Sequence, residues 1–277
     1  MSGFEPDWLA LREPEDHRAR AGSVARACVD HFGGRRSLRI VDIGCGAGSN
    51  LRALAPMFAL EQSWRLVDHD ARLLAVARAR LSAWADRSEE IDNGLRLSKG
   101  GRVIHVVFEQ RDLARDLDPL FAATADLVTA AALFDLVSAD WIDRFCAALS
   151  ARGLPLLALL TYNGVEEWRP PHPADAAVLA AFHAHQARDK GFGPSVGPRA
   201  PQALLAALEK RGYRVSAGAS DWRLAAGTAL ARALADGVAQ AARETGLVPG
   251  QEIEQWRLAR QNAQARIGHE DLFAAPA

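Results

Sequence analysis

The sequence predicts an α/β protein with a mostly parallel sheet, helices on both of its faces, and a helical lid or insertion. Three observations lead there. Short apolar, β-branched runs at 38–43, 64–68, 102–108, 125–131 and 154–161 alternate with segments of helical apolar spacing. The first run, Ile40-Val41-Asp42-Ile43, ends in the small-residue turn Gly44-Cys45-Gly46-Ala47-Gly48-Ser49-Asn50, and a helical pattern at Leu51, Leu54, Ala55 and Phe58 follows. The stretch Leu154 to Leu160 is apolar almost throughout, as a central strand covered on both faces requires.

Residues 1–36 read as an N-terminal helical cap, in which Trp8 to Pro14 lead into a helix from Glu15 to His31 stopped by Gly33-Gly34. Strand one is Leu38–Ile43, and the helix after the glycine turn spans Ser49–Phe58. A second strand ends at Asp68. The helix from Ala71 to Trp84 then shows apolar spacing at Leu73, Leu74, Ala77 and Leu81, with Asp70 as its N-cap. Ile91 to Gly101 is polar and glycine-containing, which predicts a loop; Arg102–Phe108 is strand three. Ala125–Ala131 is strand four, Ala139–Ala151 a helix, and Leu154–Thr161 strand five, which closes a core of residues 37–162.

Residues 163–200 read as a lid insertion. A helix from Ala174 to about Arg188 is flanked by proline- and glycine-rich stretches that specify a shaped loop carrying Trp168 and Phe192. Residues 201–277 return to the core: a helix at Pro201–Lys210 and strand six from Tyr213 towards Leu224. Two helices (Thr228–Glu244 and Gln251–Arg266) make a helical insertion at about 227–267, and a last strand covers 268–274.

The glycine turn points to a ligand. A side chain at Gly44 or Gly46 would stand in the way of close backbone approach, and the helix beyond offers unpaired N–H groups. A dinucleotide fingerprint needs its third glycine where Ser49 stands, and no Gly-Lys-Ser/Thr follows for a P-loop.

The spacing Asp42-x-Gly44-x-Gly46-x-Gly48 resembles motif I of the class I S-adenosylmethionine (SAM)-dependent methyltransferases. With Asp68, Asp112 and the Asp126-Leu127-Val128 run in order behind it, the resemblance covers about residues 36–162 firmly and the remainder loosely. It implies a Rossmann-like, seven-stranded sheet whose sixth and seventh strands pair antiparallel at one edge. It also implies SAM as cofactor and S-adenosylhomocysteine as product. Carried over residue by residue, Asp42, Gly44, Cys45, Gly46 and Asn50 form the cofactor loop, and Ala130 in strand four lies beside it. Asp68 takes both ribose hydroxyls, a task that suits a group with acceptors only. His69 lies beside the adenine, or is an exposed loop histidine. Asp112 meets the adenine amino group and the Leu113 N–H a ring nitrogen, with Asp116 and Asp118 as rivals. Arg20, with Arg12 and Arg18, reaches the methionine carboxylate; the alternative is that these arginines solvate a surface helix.

Methyl transfer from a sulfonium is an in-line displacement, in which the protein supplies positioning and, where needed, a base. The substrate-side candidates are Tyr162, His183 and His172 as catalytic groups, with Asn163, Asp135 and Lys190 behind them. Asp135 is equally a cap for the helix that follows it. His183 and His185, two apart, cannot both point one way on a helix. No metal is expected from their spacing, and Asn163 alone does not make a catechol-type metal site. Where family members acting on base amines or glutamine amides often carry Asn/Asp-Pro-Pro-aromatic, this chain has Ala130-Ala131-Ala132-Leu133, which argues against such substrates.

Composition narrows the partners. A net charge of −1, with 33 Lys and Arg against 34 Asp and Glu, argues against a nucleic-acid partner. No apolar run reaches membrane length, and the three cysteines lack metal or redox spacing. The acidic start, without a basic-then-apolar leader, predicts a cytoplasmic protein. The expectation is a monomeric or homodimeric methyltransferase acting on a small-molecule O or N acceptor. The alternatives are a non-catalytic SAM-binding regulatory or partner protein and a tRNA or protein methyltransferase.

Overall fold

The computed structural model describes residues 5–115, 117–121 and 124–277. Its strands are β1 (Ser37–Ile43), β2 (Glu61–Asp68), β3 (Arg87–Ile91), β4 (Gly94–Lys99), β5 (Arg102–Gln110), β6 (Leu127–Ala131), β7 (Leu156–Arg169), β8 (Tyr213–Ala219), β9 (Trp222–Leu224) and β10 (Gln264–Pro276). The helices are α1 (Pro6–Ala19), α2 (Gly22–His31), α3 (Ser49–Leu54), α4 (Ala71–Trp84), α5 (Ala139–Ser150), α6 (Asp175–Gln186), α7 (Ala200–Glu209), α8 (Ala229–Thr245) and α9 (Gly250–Arg260). One sheet runs in the order β3-β4-β5-β2-β1-β6-β7-β10-β8, with β9 on β10. β5, β2, β1, β6 and β7 are mutually parallel; β10 is antiparallel to β7 and β8.

The period of two in the strands divides the core. Ile40, Leu66, Leu127, Leu157 and Leu159 pack with α2, α3 and α4 on one face; Ile43, Val67, Val128, Leu156 and Ala158 pack with α5 and α7 on the other. The α/β architecture with helices on both faces is therefore as expected. The strand count is not: the sheet has ten strands rather than seven. β1, β2, β5, β6, β7, β8 and β10 make the seven-stranded core, and β3, β4 and β9 are additions.

Four boundaries differ from the sequence reading. The stretch read as a loop at 91–101 is half of a hairpin, in which Ile91 pairs with Gly94 across the two-residue turn Asp92-Asn93. β3 is exposed along its whole length, so it has no apolar face to announce it. Only glycine fits at 94, since a Cβ there would stand 1.8 Å from the Val106 carbonyl oxygen. β7 runs on to Arg169, so the expected core boundary at 162 falls inside a strand. The helix expected over 15–31 is two helices with a break at Arg20-Ala21, and the helix expected to reach Arg266 stops at Arg260, where β10 takes over the chain.

Beyond the sheet's carboxyl edge, the extended half of β7 pairs with the start of β10 and carries a separate apolar core. Tyr162, Trp168, Val178, Trp222, Leu230, Ile253 and Trp256 are buried there among α6, α8 and α9, with Trp8 and Leu11 of α1 packed against them. This cap is joined to the sheet by a buried carboxylate. Asp271, 0 % exposed, accepts the Ala21 N–H at 2.8 Å and the Leu160 N–H at 2.7 Å. It sits where the β10–β7 register shifts, opposite a Leu160 held at φ +54°. Replacing Asp271 with alanine leaves two buried N–H groups without acceptors, at about 1–3 kcal/mol each. We therefore expect Asp271→Ala to destabilise the protein by about 2–5 kcal/mol in equilibrium urea unfolding. A change below about 0.5 kcal/mol in that experiment would contradict the role given to Asp271.

Candidate active site

The glycine loop leaves the end of β1 with Gly44 at φ +61° and Gly46 at φ +52°, a conformation that disfavours any side chain. Gly44 also lies under Leu133, whose Cδ1 would be 3.2 Å from an added Cβ, so the loops after β1 and β6 touch. α1 covers this turn. A Cβ on Gly46 would meet Leu9 at 3.3 Å, His17 Nε2 is 3.0 Å from Ser49 Oγ, and Glu13 pairs with Arg52 at 2.6 Å. Two surface hollows lie elsewhere. One lies between α1 and β8–β9, beside Glu15, Arg18 and Arg223; the other lies between His172 and α9.

Asp42, Asn50 and Thr129 form a buried polar chain under the loop. The Asn50 amide donates to Asp42 Oδ1 at 2.8 Å and to Thr129 Oγ1 at 3.1 Å, and the Thr129 hydroxyl donates to the Leu157 carbonyl. Asp42 Oδ2 and Asn50 Oδ1 have no partner among the described residues. Burial pushes the Asp42 carboxyl up to about 7, against the pull of the Asn50 hydrogen bond. Facing them is Arg20, with buried Nε and Nη1 atoms that also lack a partner. Its neighbours Asp271, Asp16, Asp42 and Glu13 oppose the burial that lowers its affinity for the proton. The other two arginines are committed: Arg12 binds Asp16 at 2.8 Å and stacks on Trp222, and Arg18 pairs with Glu15.

Asp68 ends β2 as expected. Its carboxylate accepts the Gly46 N–H at 2.8 Å and the Asp70 N–H at 3.0 Å, which leaves further lone pairs on both oxygens. His69 Nδ1 lies 3.3 Å away with the side chain half exposed, and Asp70 caps α4 through the Arg72 N–H. Cys45 is buried, and its thiol is held protonated by that burial. Asp112 turns back to the Ala114 N–H and pairs with Arg115, while the Leu113 carbonyl accepts the Trp141 indole N–H. Asp116 and the side chain of Asp118 lie outside the described residues. Ala130 is fully buried inside β6, so Ala131 and Ala132 occupy the strand's edge instead. Asp126 lies at the opposite end of β6, tied to Arg35 and Arg39.

On the substrate side the structure joins Tyr162 and His183, 21 residues apart, by a 2.9 Å hydrogen bond between the hydroxyl and Nε2. Burial raises the phenol's pKa and lowers that of the histidine, so both are neutral. His172 is not part of this pair. Its Nδ1 accepts the Ala174 N–H at 3.1 Å, and its ring lines the hollow beside α9, because the turn after β7 carries it away from Tyr162. His185 pairs with Glu244, Asn163 accepts the Val165 N–H within its own turn, and Lys190 lies in the loop after α6. Phe192 packs on Trp141 and Trp168 on Trp256, so neither faces the Tyr162–His183 pair. No group of three or more potential ligands stands ready for a metal among the described residues.

Two residues join this side that the sequence reading valued less or passed over. Asp135 is not a helix cap: the Ser138 hydroxyl accepts the Trp141 N–H and caps α5. The Asp135 carboxyl has no side-chain partner among the described residues, is 8 % exposed, and is pushed up to about 6 by burial, with Arg12 acting the other way. His269 pairs in register with Tyr162 and lies 6.0 Å from its ring and 5.1 Å from that of Trp222. A histidine in the final strand had no local signal; only the pairing of β10 with β7 brings it here.

No family model matches the chain, and no curated protein matches it. Solved structures do. A Bacillus halodurans protein described as a candidate methyltransferase aligns over 92 % of this chain and 100 % of its own, at 14 % identity and a TM-score of 0.53. A cyclopropane-fatty-acyl-phospholipid synthase-like protein from Lactobacillus casei aligns over 95 % and 98 %, at 15 % identity and 0.52. The YcgJ protein of Bacillus subtilis aligns over 92 % and 99 %, at 14 % identity and 0.51. The chain has the class I methyltransferase fold. The glycine loop, Asp68 and Asp112 thus stand at the carboxyl edge of its sheet, where open α/β folds bind ligands.

The state of Asp135 is open to measurement. Its folded pKa lies above its unfolded one, so the stability it contributes is full below pH 3.8 and is lost as pH rises through about 6. We expect Asp135→Asn to stabilise the ligand-free protein by about 2–3 kcal/mol near pH 7.5 and by little near pH 4. Thermal unfolding of both proteins across that range measures it, and a pH-independent difference would contradict the reading.

Proposed function

We propose that the protein binds SAM and transfers its methyl group to a small-molecule O or N acceptor. The observation that carries the reading is the unpartnered set beneath the glycine loop. Two donors, Arg20 Nε and Nη1, and two acceptors, Asp42 Oδ2 and Asn50 Oδ1, are buried without partners, with Arg20 within electrostatic reach of Asp42. A buried polar atom without a partner is expensive unless a ligand completes it. Donors on one side and acceptors on the other suit a group that is both carboxylate and ammonium, the amino-acid end of SAM. Asp68 adds a carboxylate with free lone pairs at the end of β2, in reach of a ribose diol. Gly44 and Gly46 leave room for backbone approach between these two ends.

Bound there, SAM supplies an activated methyl group on a positively charged sulfur. The chain's own residues do the rest. Arg20, Asp42 and Asn50 hold the amino-acid end; Asp68 holds the ribose, with His69 at its side; Asp112 and the Leu113 N–H stand where the adenine edge is read. Tyr162, tied to His183, and the unpaired Asp135 carboxyl form the acceptor side. A buried carboxyl that ties no other element, its one hydrogen bond being to its own backbone N–H, favours an enzyme over a non-catalytic SAM-binding protein, because its burial costs stability. The cover of α1 and the cap over this edge, together with the net charge of −1, favours a small molecule over tRNA or protein.

Isothermal titration with S-adenosylhomocysteine tests the reading. We expect micromolar binding by the natural protein and a loss of roughly 1–3 kcal/mol, about 5- to 150-fold, in Asp68→Ala. No binding by the natural protein, or the same affinity in the variant, would sink the cofactor assignment.

A further inference from the structure

Beside the cofactor loop lies a second set of polar groups, contributed by four separate elements. The loop after β6 is fixed by Leu133 against Gly44, and Asp135 follows two residues later. β10 brings in His269 at the Gly268 register shift. A side chain at 268 would run into Asn163, with an added Cβ 2.1 Å from its Oδ1. β7 brings in Tyr162, and α1 brings in Arg12, which lies within electrostatic reach of both Asp135 and His269.

Two groups in this cluster are open acceptors. His269 Nδ1 lies 3.1 Å from the Ile267 carbonyl, which can only accept, so the proton is on Nδ1 and Nε2 carries a lone pair. Nε2 has no partner among the described residues. Burial and the nearby Arg12 depress the His269 pKa to about 3, which keeps the ring neutral and Nε2 an acceptor. Asp135 offers carboxylate oxygens. The Tyr162 hydroxyl bonds His183, and Arg12 Nε and Nη2 bond Asp16, with Arg12 Nη1 making no hydrogen bond among the described residues. Two acceptors remain open, the Asp135 carboxylate and His269 Nε2, with the rings of Tyr162 and Trp222 packed near His269.

We propose that this cluster is the methyl-acceptor site, and that it takes a flat small molecule presenting two O–H or N–H donors, one to Asp135 and one to His269 Nε2. The proposal rests on the SAM reading above. Asp135 removes the proton from the donor atom that is methylated. The X–H bond breaks to the carboxylate, and the pair left on X forms the new bond to the methyl carbon. The carbon–sulfur pair leaves with sulfur, giving S-adenosylhomocysteine and a protonated Asp135. His269 holds the second donor and stays neutral throughout.

The probes are catechol and 2-aminophenol, each with two donors on a flat ring, and anisole, which has the ring without a donor. They are titrated into the natural protein, Asp135→Asn and His269→Gln, all saturated with S-adenosylhomocysteine. The expected result is that at least one two-donor probe binds the natural protein about ten-fold or more tighter than anisole. Each variant should lose about ten-fold for that probe while keeping its affinity for S-adenosylhomocysteine within about two-fold. As a second readout, nitrogen NMR of labelled histidine in the natural protein should show His269 Nε2 unprotonated and shifted by the probe. Two-donor probes that bind no better than anisole, variants that bind them as the natural protein does, or a protonated Nε2 would each overturn the proposal. Failure of the natural protein to take up S-adenosylhomocysteine would overturn the cofactor reading instead.

Discussion

A single buried carboxylate holds the working parts of this molecule in register. Asp271 takes its hydrogen bonds from the main chain at two distant places, the α1–α2 junction at Ala21 and the left-handed turn of β7 at Leu160. The first bond fixes where α1 ends and therefore where Arg20 points. The second sets the point at which β7 leaves the sheet and begins to carry the cap. Two backbone donors and the charge of Arg20 compensate the burial of the carboxylate, in a place where an apolar residue would satisfy none of them. The cofactor loop, the roof over it and the cap thus share one anchor in the last strand.

The same strand sets the chemistry through its irregularities. β10 breaks register twice against β7, between Ile267 and His269 and between Glu270 and Leu272, and the buried side chains of His269 and Asp271 lie at these shifts. The protein tolerates several buried groups that lower its stability. Asp42 and Asp135 both have their pKa values raised by burial, and Arg20 keeps two donors unused. In the cap Glu166 accepts the Trp168 indole N–H, Asp175 accepts the Trp256 indole N–H, and Arg260 Nη1 donates to the Pro170 carbonyl, while Arg260 Nε and Gln186 Oε1 have no partner among the described residues. What sets Arg20, Asp42 and Asn50 apart is that three elements bring unpartnered donors and acceptors together beside the glycine loop.

Much of the core was legible because its signals are local. The β-branched run ending in Gly44-Cys45-Gly46 announced β1 and the loop, and the family resemblance led to the acidic residue that ends β2. α4 runs from Ala71 to Trp84 as its apolar spacing required. What stayed hidden depends on pairing across the chain. β3 has no buried face to read. The extension of β7 past residue 162 is stabilised by β10, about a hundred residues later. Asp271 and His269 look like ordinary polar residues in a closing strand until β7 is placed beside them. Sequence could nominate Arg12, Arg18 and Arg20 together, but only the observed partners of the first two leave Arg20 free. His172 was nominated by residue type, and the turn after β7 removed it from the pair that Tyr162 and His183 form.

Arg20, with Asp42 and Asn50, is proposed to grip the amino-acid end of the cofactor. The most direct measurement compares S-adenosylhomocysteine with methylthioadenosine, which keeps the nucleoside and sulfur but lacks that end, in the natural protein and in Arg20→Met. The account predicts that the natural protein prefers the former by about 10- to 100-fold. It also predicts that Arg20→Met loses most of that preference while binding methylthioadenosine as before. A preference that survives the substitution, or equal weakening of both ligands, would contradict it.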